Sequence, residues 1–179
     1  MAAGLCILGL FAAGTAITGA LSDPDRRQAA KEKVSEKLAP TSASALDSGQ
    51  TEIAQTIIDI GREHSIPDAG IEIALMTAMQ ESSLRNLPYG DRDSLGVFQQ
   101  RPSQGWGTNE QVLSVRHATT AFYGVNPKVK NAGLKQISGW QKMSKNDAAQ
   151  AVQRSAHPEA YAKWEPLAAD ILAAAPNSR

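Results

Sequence analysis

A chain of 179 residues is long enough for one compact domain with accessory segments. Its 18 Lys and Arg balance 18 Asp and Glu, so no basic excess is available to hold phosphates, and nucleic acid is not expected as a partner. A single cysteine, Cys6, excludes an intrachain disulfide framework and a Cys-based metal site; His64, His117 and His157 stand far apart, so neither a metal nor another cofactor is expected.

The chain begins "MAAGLCILGLFAAGTAITGAL", Met1 to Leu21, without a charged side chain. About 20 apolar residues in a helix can cross a bilayer core, so this segment reads as an export signal or a membrane anchor. It places the protein outside the cytoplasm, secreted or held at the membrane if the segment is uncleaved. "SDPDRRQAAKEKVSEKLAP" follows, acidic first and basic later, which suits a solvated helical stalk. "PTSASALDSGQ", Pro40 to Gln50, is small and polar and reads as a linker, which leaves residues 51–175 as the folded domain.

Helical periodicity dominates that domain. "TEIAQTIIDIGREHSI" puts Ile53, Ile57, Ile58 and Ile60 near one face, with Thr51 as a cap. A second helix starts at Pro67-Asp68, with a buried stripe of Ile71, Leu75, Ala78 and Met79. "NLPYGDRDSLGVFQQRP" then breaks the period with Pro88, Gly90 and Gly96, which predicts a loop or short hairpin. "TNEQVLSVRHATTAFYG" is a third helix, capped by Thr108 or Asn109 and stopped by Gly124. "SKNDAAQAVQRSAHP" is a fourth, capped by Ser144, and "PEAYAKWEPLAADILAAA" closes the chain. The fold class is mostly α, with one small irregular or β element after the second helix.

Within "MTAMQESSLRN", Met76 to Asn86, Ala74, Ala78 and Glu81 share a helix face at spacings of four and three. The face is apolar and near a helix C-terminus, where both desolvation and the negative end of the macrodipole favour a protonated carboxyl. A carboxylic acid that stays protonated near neutral pH is what glycosidic cleavage needs, because the leaving oxygen must receive a proton.

"MQESSLRN" resembles the first motif of the lysozyme-like superfamily, in its soluble lytic transglycosylase branch, and "LGVFQQRP" resembles the second. The separation of Glu81 and Gln99, 99 − 81 = 18, suits that family, and "YGDRDSLGVFQQRPSQGWGT" is similar to lysozyme-like proteins of actinobacteria and their phages. The resemblance spans roughly Gln55 to Ala169. It implies a lysozyme-like α+β domain in which Glu81 alone acts as acid and then base on the β-1,4 bond between MurNAc and GlcNAc of peptidoglycan. The product of such a lytic transglycosylase is a 1,6-anhydro-muramyl end; a muramidase would instead use water.

The substrate-binding candidates are Gln99, which can donate and accept towards sugar hydroxyl and acetamido groups; Gly96, which allows close approach; and Tyr89 and Trp106, which can stack on sugar faces. Phe98 fits the core better. Asp91 and Asp93 lie near the cleft, where either turn chemistry or a second carboxylate accounts for them. The family's third motif, Ala-Tyr-Asn, has no clean copy. "AVQRSAHPEAY", Ala151 to Tyr161, falls in its place, with Gln153 standing for the Asn, and with Arg154 and Tyr161 as cleft candidates that helix-surface and packing roles explain equally well. The alternative is a lysozyme-like domain that binds glycan without cleaving it, or a structural subunit of an envelope, conjugation or phage apparatus.

Overall fold

The computed structural model describes residues 39–155 and 157–176. The apolar segment Met1 to Leu21 and the charged stalk lie outside them. Among the described residues no helix is long and apolar enough to cross a membrane. From Pro40 onward the chain forms one compact unit.

Among the described residues six α-helices make up its frame: α1 Ser48–Glu63, α2 Asp68–Ser82, α3 Asn109–Val112, α4 Val115–Tyr123, α5 Lys145–Gln153 and α6 Glu165–Ala174. The architecture is mostly α, as the periodicity implies. The loop after α2 is stitched by one antiparallel bridge, Leu95 to Gln100, among the described residues.

α2 is the central element, packed by α1, α4, α5 and α6. Its sequence explains why. "IEIALMTAM" has no polar face to offer water, so neighbours surround it rather than cover one stripe. Ile71, Ala74, Leu75, Met76 and Ala78 are fully buried, well beyond the stripe expected from spacing. Thr77, also buried, returns its hydroxyl to the Ile73 carbonyl at 2.6 Å. α2 stops just past Glu81 because Ser83 and Leu84 both turn left-handed (φ +55°), with Ser83 and Leu84 N–H groups reaching back to Met79 and Ala78. A left-handed conformation at a residue with a Cβ costs about 1–2 kcal/mol. Leu84 offsets it by burying its side chain completely.

Two boundaries differ from the sequence expectation. The stretch 40–50 does not stay a linker. Ala43–Ala45 forms a 3-10 turn whose Ala43 N–H donates to Asp170 on α6 at 2.6 Å, and α1 begins at Ser48. Asp47 and Gln50 cap that start reciprocally, so Asp47, not Thr51, is the cap. The third helix is split, because Ser114 recaps the chain by accepting from the His117 N–H and opens α4 separately from α3. Thr108 caps α3, Ser144 caps α5 and Gly124 ends α4, all where expected.

α5 is fastened to α2 and α6 through Lys145, whose ammonium lies 2.7 Å from Glu165 and 2.5 Å from Glu72. This pins the start of α5 to the first half of α2. Phe98, fully buried as expected, stacks on Phe122 of α4 with ring centroids 4.6 Å apart and so anchors the 95–100 turn to the core.

Candidate active site

Glu81 sits in the last turn of α2, half-buried, where the helix gives out. Burial pushes its carboxyl pKa above the ordinary range, opposed by hydrogen bonds from Tyr161 and Gln153 and by nearby His157. The Tyr161 hydroxyl donates to Oε1 of Glu81 at 2.8 Å. Tyr161 is itself fully buried, and its hydroxyl is pushed well above the usual phenol range by burial and by the carboxylate beside it. The pair therefore consists of a reluctant anion and a phenol that keeps its proton.

Ser82 locks the helix end to the facing loop. Its hydroxyl lies 2.8 Å from the Val97 carbonyl and 3.1 Å from that of Ala78, and it accepts the Arg85 N–H. The Glu-Ser pair thus joins an acid to the residue that sets its distance from the loop wall. Gly96 turns that wall at φ +77°, and a Cβ there would lie 2.5 Å from the Val112 carbonyl oxygen. Only glycine fits both requirements.

Gln153, at the end of α5, donates from Nε2 to the Phe98 carbonyl at 2.8 Å, and its amide lies near enough to Glu81 to favour the anion. It lines a polar cleft of about 300 Å3 together with Gln99, Arg101, Gln104, Trp106 and Arg154. Gln153 therefore stands between the acid and the cleft, whose lining residues do not include Glu81 itself. Trp106 is half-buried and packs on the core while facing this cleft.

The remaining candidates fall differently. Gln99 adopts φ +47° and spends its Nε2 protons on the carbonyls of Tyr89 (3.2 Å) and Gly96 (3.1 Å), so its donors organise the loop. Tyr89 is 67% exposed. Asp93 is engaged by the Ser103 hydroxyl and N–H (2.8 Å) and by Arg101 Nε (2.7 Å), which together hold its carboxyl far below the usual range. Asp91 is exposed and lies 3.8 Å from Arg92.

Tyr161, a cleft candidate that packing explained equally well on sequence grounds, is the partner of Glu81 in the structure. It stands 80 positions from Glu81 and is delivered by the turn Pro158–Tyr161. Asn146 of α5 holds that turn by donating to the Pro158 carbonyl at 2.8 Å and accepting the Ala162 N–H at 3.1 Å. Its only sequence signal is a tyrosine just after a proline, near the expected place of a motif whose tyrosine is absent. Arg154, likewise left open, lines the cleft from a left-handed position (φ +52°).

Among the described residues no group of three or more His, Cys, Asp or Glu is arranged to hold a metal ion. Neither a family model nor a curated protein matches the chain.

Proposed function

We propose that the protein is a lysozyme-like peptidoglycan-cleaving enzyme in which Glu81 is the general acid and base. The observation that carries this reading is the half-buried Glu81 carboxyl, raised in pKa by burial, which accepts from Tyr161 at 2.8 Å and stands beside Gln153, a glutamine that lines an open polar cleft. A carboxyl whose pKa burial raises, beside a glutamine that lines a cleft rich in amide side chains, suits a polymer of hydroxyl and acetamido groups.

The reaction uses these groups in order. Protonated Glu81 gives its proton to the oxygen linking MurNAc C1 to GlcNAc, and the C1–O bond breaks with positive charge developing at C1. The Glu81 carboxylate, now anionic and stabilised by the Tyr161 and Gln153 donors, takes the proton from the sugar's own 6-hydroxyl. That oxygen closes on C1, leaving a 1,6-anhydro end and restoring the acid. The engagement of Asp93 by Arg101 and Ser103 supports this one-carboxylate route over a hydrolase that needs a second free carboxylate. The substrate puts the site of action outside the cytoplasm, and the apolar segment at Met1 to Leu21 serves as signal or anchor.

The test is digestion of purified peptidoglycan by the full chain and by Glu81→Gln, with fragments read by mass spectrometry. Anhydro-muramyl ends that disappear in the variant are expected. Reducing ends would point to a muramidase instead, and intact walls of every chemotype tried would leave a glycan-binding or structural domain.

A further inference from the structure

Trp106 walls the cleft, yet among the described residues no backbone–backbone hydrogen bond engages it. It is held instead by His117, from the first turn of α4. The ring's Nε2 lies 3.0 Å from the Trp106 carbonyl oxygen, and its Nδ1 lies 3.2 Å from Asn126 Nδ2.

The neighbours fix which nitrogen carries the proton. Asn126 Oδ1 accepts the Lys128 N–H at 3.1 Å, so the amide nitrogen is the end that faces the ring. That nitrogen also donates to Thr120 Oγ1 at 3.1 Å, whose own proton returns to the carbonyls of His117 and Arg116. An amide nitrogen only donates, so Nδ1 accepts; a carbonyl only accepts, so Nε2 bears the hydrogen. Gly107 makes the approach possible, since a Cβ there would lie 2.8 Å from Nε2. At the other end of the same loop Asn131 donates to the Gln104 carbonyl at 2.9 Å. The loop that carries the indole is thus tied at both ends by side chains, while the indole itself packs on the core.

We propose that His117 is a positioning residue: as a neutral, Nε2-protonated imidazole it holds the Trp106 carbonyl and so fixes the indole against which the glycan lies. This rests on the glycan-cleft reading above. His117 is not bonded to Glu81, Tyr161 or Gln153, so its loss affects substrate binding rather than the proton transfers. A glutamine places an amide N–H near the position of Nε2, whereas an asparagine reaches only the position of Nδ1.

The experiment compares His117→Gln and His117→Asn in the full chain. KM for peptidoglycan fragments is expected to rise about fivefold or more in the Asn variant, with kcat unchanged, and to return towards the original value in the Gln variant. Nitrogen-15 NMR of the wild type should show His117 protonated at Nε2 and bare at Nδ1. The Trp106 indole resonance, assigned through Trp106→Phe, should broaden or move in the Asn variant only. An Nδ1-protonated ring, or equal KM in all three proteins, overturns the proposal. If the wild type neither binds nor cleaves glycan, the functional reading falls by itself. The tautomer and the indole resonance then still decide whether His117 holds the wall.

Discussion

The Tyr161 hydroxyl donates to Glu81 at 2.8 Å across 80 residues of sequence, from a turn that belongs to no helix into the end of the most buried helix in the domain. Two opposing influences meet at that one carboxyl. Burial favours its protonated form, and the phenol favours its anion. An acid that must first give a proton and then take one back needs both.

Tyr161→Phe removes the donor and leaves the burial. The Glu81 pKa then rises further, because the anion loses its partner while the neutral acid does not. The alkaline limb of kcat/KM should move to higher pH. The maximal rate should fall about tenfold, the size expected for one hydrogen bond to a charged group. A limb that stays in place or moves down would separate the tyrosine from the ionisation of Glu81.

Glu81→Gln should lower activity by about 10²–10⁴-fold, as for loss of a general acid. It should also stabilise the fold at neutral pH. The native carboxyl has a raised pKa, so between the unfolded value near 4.5 and the folded one the native state binds more protons, and wild-type stability falls as pH rises through that window. Glutamine does not titrate and can still accept from Tyr161. Urea titrations at pH 7 and pH 4 should show the variant's advantage at the first and its disappearance at the second; a destabilised variant at pH 7 would contradict the raised pKa.

Asp93→Asn should leave cleavage within a few-fold of wild type, because both carboxylate oxygens already serve Ser103 and Arg101. The stability that Asp93 contributes is present above its ordinary pKa of 3.8 and is lost as pH falls through its depressed folded value. The variant's acid unfolding should therefore lack that part of the slope. Loss of turnover with an unchanged fold would make Asp93 a second catalytic carboxylate.

Gly96→Ala should destabilise by at least about 2 kcal/mol, from a left-handed backbone together with a Cβ pressed on the Val112 carbonyl. Gly139→Ala is the control, since Gly139 is also left-handed (φ +71°) but a Cβ there meets nothing within 4 Å. Chemical denaturation of both isolates the close approach. Equal losses would mean that backbone conformation alone requires the glycine at 96.

Much of this was legible in the residue order, for local reasons. The end of α2 beside Glu81, the caps at Thr108 and Ser144 and the stop at Gly124 all depend on neighbours within a few positions. The start of α1 was equally local, yet Asp47 and Gln50 sit in a small, polar stretch whose composition suggests a linker. The buried girth of α2 was harder to see, because four neighbouring elements decide it. Tyr161 was out of reach of periodicity. Its turn is set by Asn146 and its partner lies 80 residues away, so no spacing rule connects the two. The His117 tether is hidden for the same reason: an imidazole on a helix does not announce which loop it holds.

The Asn146 clamp has a consequence for the resting protein. Were its grip on the Pro158 carbonyl and the Ala162 N–H to slip, the Tyr161 turn would lift, and water would reach Glu81. The carboxyl would then relax towards its ordinary pKa. One asparagine amide, which touches neither Glu81 nor Tyr161, thus conditions the environment of the carboxyl.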